Sequence, residues 1–124
     1  MKRLPDSELE IMQIIWEANT PVTRNDIQNQ LPDSKSLAPT TILSFLSRLE
    51  QRGFVKVTKQ GKSNWYESLV PREDYINSES QTMLKRFFGN SIKNLVVQLN
   101  DSKALEEEDI ESLRSYLDQL TKEE

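Results

Sequence analysis

The chain has 124 residues and a formal net charge of −4, from 16 Lys and Arg against 20 Asp and Glu. It contains no cysteine and no histidine. Disulfides, thiolate metal sites, thiol nucleophiles and imidazole acid–base chemistry are therefore excluded, and no enzyme, cofactor or metal is expected.

Leu, Ile, Val and Phe number 33 of the 124 residues, above the ~20% level below which disorder is expected. The core is still lean, and a lean chain gains stability by burying further surface in an oligomer. No apolar run approaches the ~20 residues of a membrane span. Met1 to Asp6 lacks the apolar stretch of a secretory signal. A cytoplasmic protein without membrane insertion is the expectation.

The charge is uneven. Residues 1–70 carry a net +1 and residues 71–124 a net −5. Within the first part, residues 48–62 hold Arg48, Arg52, Lys56, Lys59 and Lys62 against Glu50 alone. A local basic stretch in an acidic protein is the pattern of an electrostatic footprint for phosphate, provided it falls on elements that converge.

Leu9, Met12, Ile15 and Trp16 recur at helical spacing, with Ile11 and Ile14 widening the stripe. Pro5, Asp6 and Glu8 suit the start of this helix, and Asn19-Thr20-Pro21 its end. Thr23-Arg24-Asn25-Asp26 has the capping-box pattern, with Val22 and Ile27 placed for a hydrophobic staple. The second helix is short because Leu31-Pro32 ends it. Ser34 to Ala38 reads as a loop.

Pro39 opens a third helix, over residues 39–52. Ile42, Phe45, Leu46 and Leu49 form its apolar stripe. Thr40, Thr41, Leu43, Ser44, Ser47 and Arg48 face other directions. Gly53 fits the left-handed position after the helix. Phe54 to Lys59 and Trp65 to Val70 then read as strands, joined by a polar turn over Gln60 to Asn64.

Helix, short helix, helix and hairpin in this order predict a winged helix-turn-helix fold, mainly α with a small β-hairpin. Its third helix enters the DNA major groove and its hairpin, the wing, follows a phosphate backbone. Small hydroxyls at Thr40, Thr41, Ser44 and Ser47 can approach phosphates and base edges, and Leu43 can meet a thymine methyl. Arg48, Lys59 and Lys62 suit phosphate neutralisation, with Arg24 adding one contact. The alternative for the same elements is a winged-helix module that binds protein and not DNA.

The remainder reads as helices. Glu73 to Phe88 has acids in its first turn and Lys85-Arg86 in its last. Gly89-Asn90 breaks it, Ile92 to Leu99 forms a second helix, and Asn100 to Lys103 a loop. Glu106 to Asp109 open the last helix; a calcium site would need more oxygen ligands in a loop. Leu84, Phe87, Phe88, Ile92, Leu95, Val96 and Leu99 are too many large apolar groups for one helical arm to hide. Ile110, Leu113, Leu117 and Leu120 add a helix–helix seam. Together they predict a homodimer interface. The domains expected are a winged-helix DNA-binding domain over residues 1–70 and a helical dimerisation domain over residues 71–124.

Leu4-Pro5-Asp6-Ser7-Glu8-Leu9-Glu10-Ile11-Met12-Gln13-Ile14-Ile15-Trp16, Pro39-Thr40-Thr41-Ile42, Leu46-Ser47-Arg48-Leu49, Gly53-Phe54 and Tyr66 together resemble the BlaI/MecI penicillinase-repressor family. Asn94-Leu95-Val96-Val97 and Glu108 to Arg114 are similar to it as well. The resemblance implies a homodimeric repressor on a double-stranded palindromic operator that controls β-lactam antibiotic resistance genes. It further implies a membrane sensor-protease that cuts the C-terminal arm. The family's scissile Asn-Phe pair falls on Gln98-Leu99 here, and family members often carry basic residues where this chain has Thr40 and Leu43. The copper-responsive branch, with its C-terminal Cys clusters, is excluded by the absence of Cys.

Overall fold

The computed structural model describes residues 1–122. Its elements are α1 (Asp6–Ala18), α2 (Arg24–Gln30), a 3-10 turn (Asp33–Lys35), α3 (Pro39–Gln51), β1 (Val55–Gln60), β2 (Ser63–Ser68), α4 (Arg72–Phe88), α5 (Ile92–Asp101) and α6 (Glu107–Lys122). They divide into two compact units, Met1–Glu79 and Ser80–Glu124. The boundary lies inside α4, later than the break expected after residue 70. The reason is Tyr75, which is buried in the first unit and whose hydroxyl accepts a hydrogen bond from the Leu4 backbone N–H at 2.8 Å.

In the first unit three helices enclose one apolar core. Ile11, Met12 and Ile15 of α1 meet Ile27 of α2 and Ile42, Leu46 and Leu49 of α3. Each fully buried aliphatic side chain of this kind is worth roughly 1.5–3 kcal/mol. Leu9, Ile14, Trp16 and Phe45, read as part of the apolar stripes, are half-buried at the margin of this core.

Local chemistry sets the ends of the elements. Asn19 closes α1 in the left-handed conformation, with φ of 53°. Thr23 caps α2 with a complete capping box. Its Oγ1 accepts from the Asp26 N–H at 3.1 Å, and its own N–H donates to Asp26 Oδ2 at 3.0 Å. The loop expected over residues 34–38 contains part of the 3-10 turn. There Lys35 Nζ donates to Glu10, a hydrogen bond that raises the lysine pKa above its ordinary value.

Pro39 occupies the first turn of α3, where its missing N–H is no loss. At the other end the Gly53 N–H donates to the Glu50 carbonyl at 3.0 Å, and the Phe54 N–H to the Leu49 carbonyl at 2.9 Å. This Schellman pattern needs the left-handed Gly53, at φ of 80°. It turns the chain so that Phe54 and Val55 enter the core.

β1 and β2 pair antiparallel, with Val57 opposite Tyr66 and Gln60 opposite Ser63. The two-residue turn is Gly61-Lys62, so the strands run further towards the tip than the five-residue turn expected from sequence. Val22 forms a separate antiparallel bridge to β2: its N–H donates to the Tyr66 carbonyl at 2.9 Å and its carbonyl accepts from the Tyr66 N–H at 2.7 Å. The base of the hairpin is fixed by Trp16, whose Nε1–H donates to Ser68 Oγ at 3.0 Å and to the Val70 carbonyl at 2.8 Å.

The second unit consists of the end of α4, α5 and α6. Gly89 and Asn90, both at positive φ, end α4, and the Asn90 N–H donates to the Leu84 carbonyl at 3.1 Å. Ser91 caps α5 by accepting from the Asn94 N–H at 3.1 Å. α5 extends to Asp101, into the segment read as a loop. Asp109 accepts from the Glu106 N–H at 2.9 Å just ahead of α6. No helix among the described residues is long and apolar enough to cross a membrane.

Candidate nucleic-acid interface

The geometry of α3 follows from its sequence. Ile42, Leu46 and Leu49 are buried, so the opposite face must point outward. At 100° per residue that face is Thr40, Ser44, Ser47, Arg48 and Gln51, all exposed, with the exposed Leu43 on its flank. Gln51 extends the stripe by one turn and was not among the candidate residues; the i+4 step from Ser47 was the signal for it. Thr41 and Leu43 lie on opposite flanks. Thr41 is half-buried, a departure from its expected outward role. Arg48 is exposed and holds its guanidinium 5.8 Å from the Phe45 ring centroid.

Next to this face is an open cleft between the start of α2, the middle of α3 and the hairpin tip. Thr23, Arg24, Asn25, Leu43, Lys62, Ser63, Asn64 and Tyr66 line it. The Val22–Tyr66 bridge brings the hairpin against the start of α2. Arg24, Leu43 and Lys62, distant in sequence, therefore share one concavity. Asn25 and Asn64 join them and were not foreseen, because neither lies on a periodic stripe. The Arg24 guanidinium donates to Gln28 on its own helix. Lys59 is exposed on β1 and does not line the cleft.

The basic stretch is less available than its sequence implies. Arg52 pairs with Glu8, whose side chain is 1% exposed, while Arg52 itself stays in contact with solvent. Glu8 stands in the first turn of α1, as expected, and is in addition a core carboxylate. Arg48, Lys56, Lys59 and Lys62 remain exposed. Lys56 and Lys59 project from opposite faces of β1, as the period of two requires.

Chemically, this surface offers hydroxyls on a protruding helix, one apolar side chain among them, and cations on the flanking elements. It can meet phosphates with charge and base edges with short polar groups. Among the described residues, no group of three His, Cys, Asp or Glu could hold a metal ion.

The second unit carries a different kind of surface. No side chain from residue 76 to residue 122 is buried. Leu84, Phe88, Leu95 and Val96 are half-buried, whereas Phe87, Ile92, Leu99, Ile110, Leu113, Leu117 and Leu120 are exposed. Phe87 and Ile92 reach 64% and 68% exposure. Val97 and Tyr116 are further exposed apolar groups outside the predicted set. Gln98-Leu99 lies inside α5, in regular helix.

Residues 4–119 match the model of the family described as penicillinase repressor. The chain is similar to the penicillinase repressor of Bacillus licheniformis, with 29% identity over 122 residues, covering 96% of this chain and 94% of that protein. It is similar to the methicillin resistance regulatory protein MecI of Staphylococcus aureus, with 28% identity over 114 residues and 92% of each chain. Among solved structures, the DNA-binding domain of the repressor BlaI superposes with a TM-score of 0.51 and 29% identity, over 60% of this chain and 94% of that one. The chain belongs to the penicillinase repressor family of winged-helix transcriptional repressors.

Proposed function

We propose that this chain is a homodimeric repressor that docks α3 in the major groove of operator DNA and lays its hairpin along the phosphate backbone. The observation that carries this reading is the outward face of α3, set beside a cleft that gathers Arg24 and Lys62 from two other elements. Thr40, Ser44 and Ser47 contact base edges or phosphates, and Thr41 contributes from the flank. Arg24, Arg48, Lys59 and Lys62 neutralise phosphates. The apolar residues of the second unit support a dimer. Covering one exposed Leu or Phe is worth roughly 1.5–3 kcal/mol, a large share of a domain's stability. Two linked protomers then occupy two half-sites of a palindrome, and occupancy blocks transcription.

The relatives' names point to β-lactam resistance genes as the regulated set and to the cytoplasm as the place of action. Derepression by a membrane sensor-protease fits the same reading. Gln98-Leu99 sits in the dimer stripe, so a cut there would unlink the half-sites. A protease needs extended backbone, so α5 must open locally before that bond is reached.

The test is fluorescence anisotropy with DNA from upstream of the chain's own coding region, titrated with salt. Repressor function predicts binding whose logarithm falls linearly with the logarithm of salt concentration. A protein-binding module predicts no salt-dependent binding to this DNA.

A further inference from the structure

We propose that Leu43 is a specificity-determining residue that reads the C5-methyl group of a pyrimidine. The preferred duplex is then set by thymine methyls more than by forked hydrogen bonds to guanine or adenine. This deepens the repressor reading and rests on it.

The inference starts from what α3 lacks. Its first exposed positions after Pro39 are Thr40, Leu43, Ser44 and Ser47. In helix-turn-helix docking the N-terminal residues of this helix meet base edges. The side chains that discriminate guanine and adenine there are forked or bidentate: Arg, Lys, Asn and Gln. None occupies these four positions; Arg48, its guanidinium over the Phe45 ring, and Gln51 stand beyond them towards the end of the helix. A hydroxyl donates and accepts alike, so Thr40, Ser44 and Ser47 discriminate weakly.

Leu43 is the one side chain of the four with a definite preference. It is 43% exposed in a cleft whose other members include Arg24, Asn25, Lys62 and Asn64. The other exposed large apolar residues of the first unit, Met1, Leu69 and Ile76, are neither on α3 nor in this cleft. Leu43 shares this cleft with cations, amides and the Tyr66 ring, and a large part of its side chain still faces solvent. In the major groove the apolar feature of a base pair is the thymine C5-methyl. Arg24 and Lys62, from α2 and the hairpin, would hold the backbone while Leu43 meets that methyl.

The test uses the full-length chain and the duplex it enriches from a random 30-base-pair pool. Each thymine is replaced in turn by deoxyuridine, which removes only the methyl. At one thymine per bound protomer, wild type should lose about fourfold in affinity, the worth of one buried methyl. Leu43→Ala should abolish that loss, and Leu43→Met should keep it. At the same position 5-methylcytosine should bind better than cytosine with wild type and equally with Leu43→Ala. Methyl effects that are absent, or unchanged in Leu43→Ala, would overturn the proposal while leaving the repressor reading intact. If wild type enriches no duplex at low salt, the repressor reading fails and the proposal falls with it.

Discussion

The buried carboxylate of Glu8, in the first turn of α1, is paired with the guanidinium of Arg52, which closes the C-terminal end of α3. The pair joins residues 44 apart in sequence and ties the exposed helix to the scaffold beneath it. A carboxylate that is 1% exposed loses nearly all its water, and removing its partner leaves an uncompensated charge.

Arg52→Ala should therefore destabilise the first unit by about 3 kcal/mol, and Glu8→Ala by less, because the Arg52 charge it leaves is in contact with solvent. Replacing both by apolar residues, Glu8→Leu with Arg52→Met, should cost far less than the two single changes together, because no charge is stranded. Urea denaturation of the three variants checks this. Additive losses would show that the two side chains do not interact.

Trp16 fixes the base of the hairpin through one N–H shared between Ser68 Oγ and the Val70 carbonyl. Trp16→Phe keeps most of the ring and removes the donor. The expected cost is about 1–2 kcal/mol. Thermal unfolding measures it, and an unchanged midpoint would mean that the hairpin base is held by packing alone.

Much of this was legible in the sequence, and the reasons are local. The stripe of Ile42, Leu46 and Leu49 is set by a 3.6-residue period, and Pro39 and Gly53 mark its ends by their own backbone limits. The capping box at Thr23 needs only four adjacent residues. The pairing of Glu8 with Arg52 and the docking of Tyr75 on the Leu4 N–H were not legible. Each joins positions far apart, and nothing in a local pattern distinguishes a buried helix-start carboxylate from an exposed one. The cleft shared by Arg24, Leu43 and Lys62 was hidden for the same reason: its members come from three elements. Thr41, a 100° step from Thr40, falls on the flank of the exposed face and is half-buried.

Lys59 and Lys62 are exposed and make no ion pair within 4 Å among the described residues. Lys59→Ala with Lys62→Ala should weaken binding to all duplexes about equally. The slope of log affinity against log salt should flatten by up to about one unit per lost phosphate contact. An unchanged slope in an anisotropy titration would remove the hairpin from the interface.

Leu95 lies half-buried in the apolar stripe of α5. Leu95→Asp should leave the first unit folded, since its core contains no residue beyond Tyr75. It should shift the chain to monomer at micromolar concentration in sedimentation and sharply weaken operator binding. A wild-type chain that sediments as a monomer at that concentration would defeat the dimer assignment.

Hydroxyl-radical footprinting of the full-length chain on its enriched duplex reads DNA contact and dimer geometry together. A dimeric repressor should leave two symmetric protected patches, separated by about one helical turn or a multiple of it. Uniform cleavage along the duplex at low salt would contradict the repressor reading.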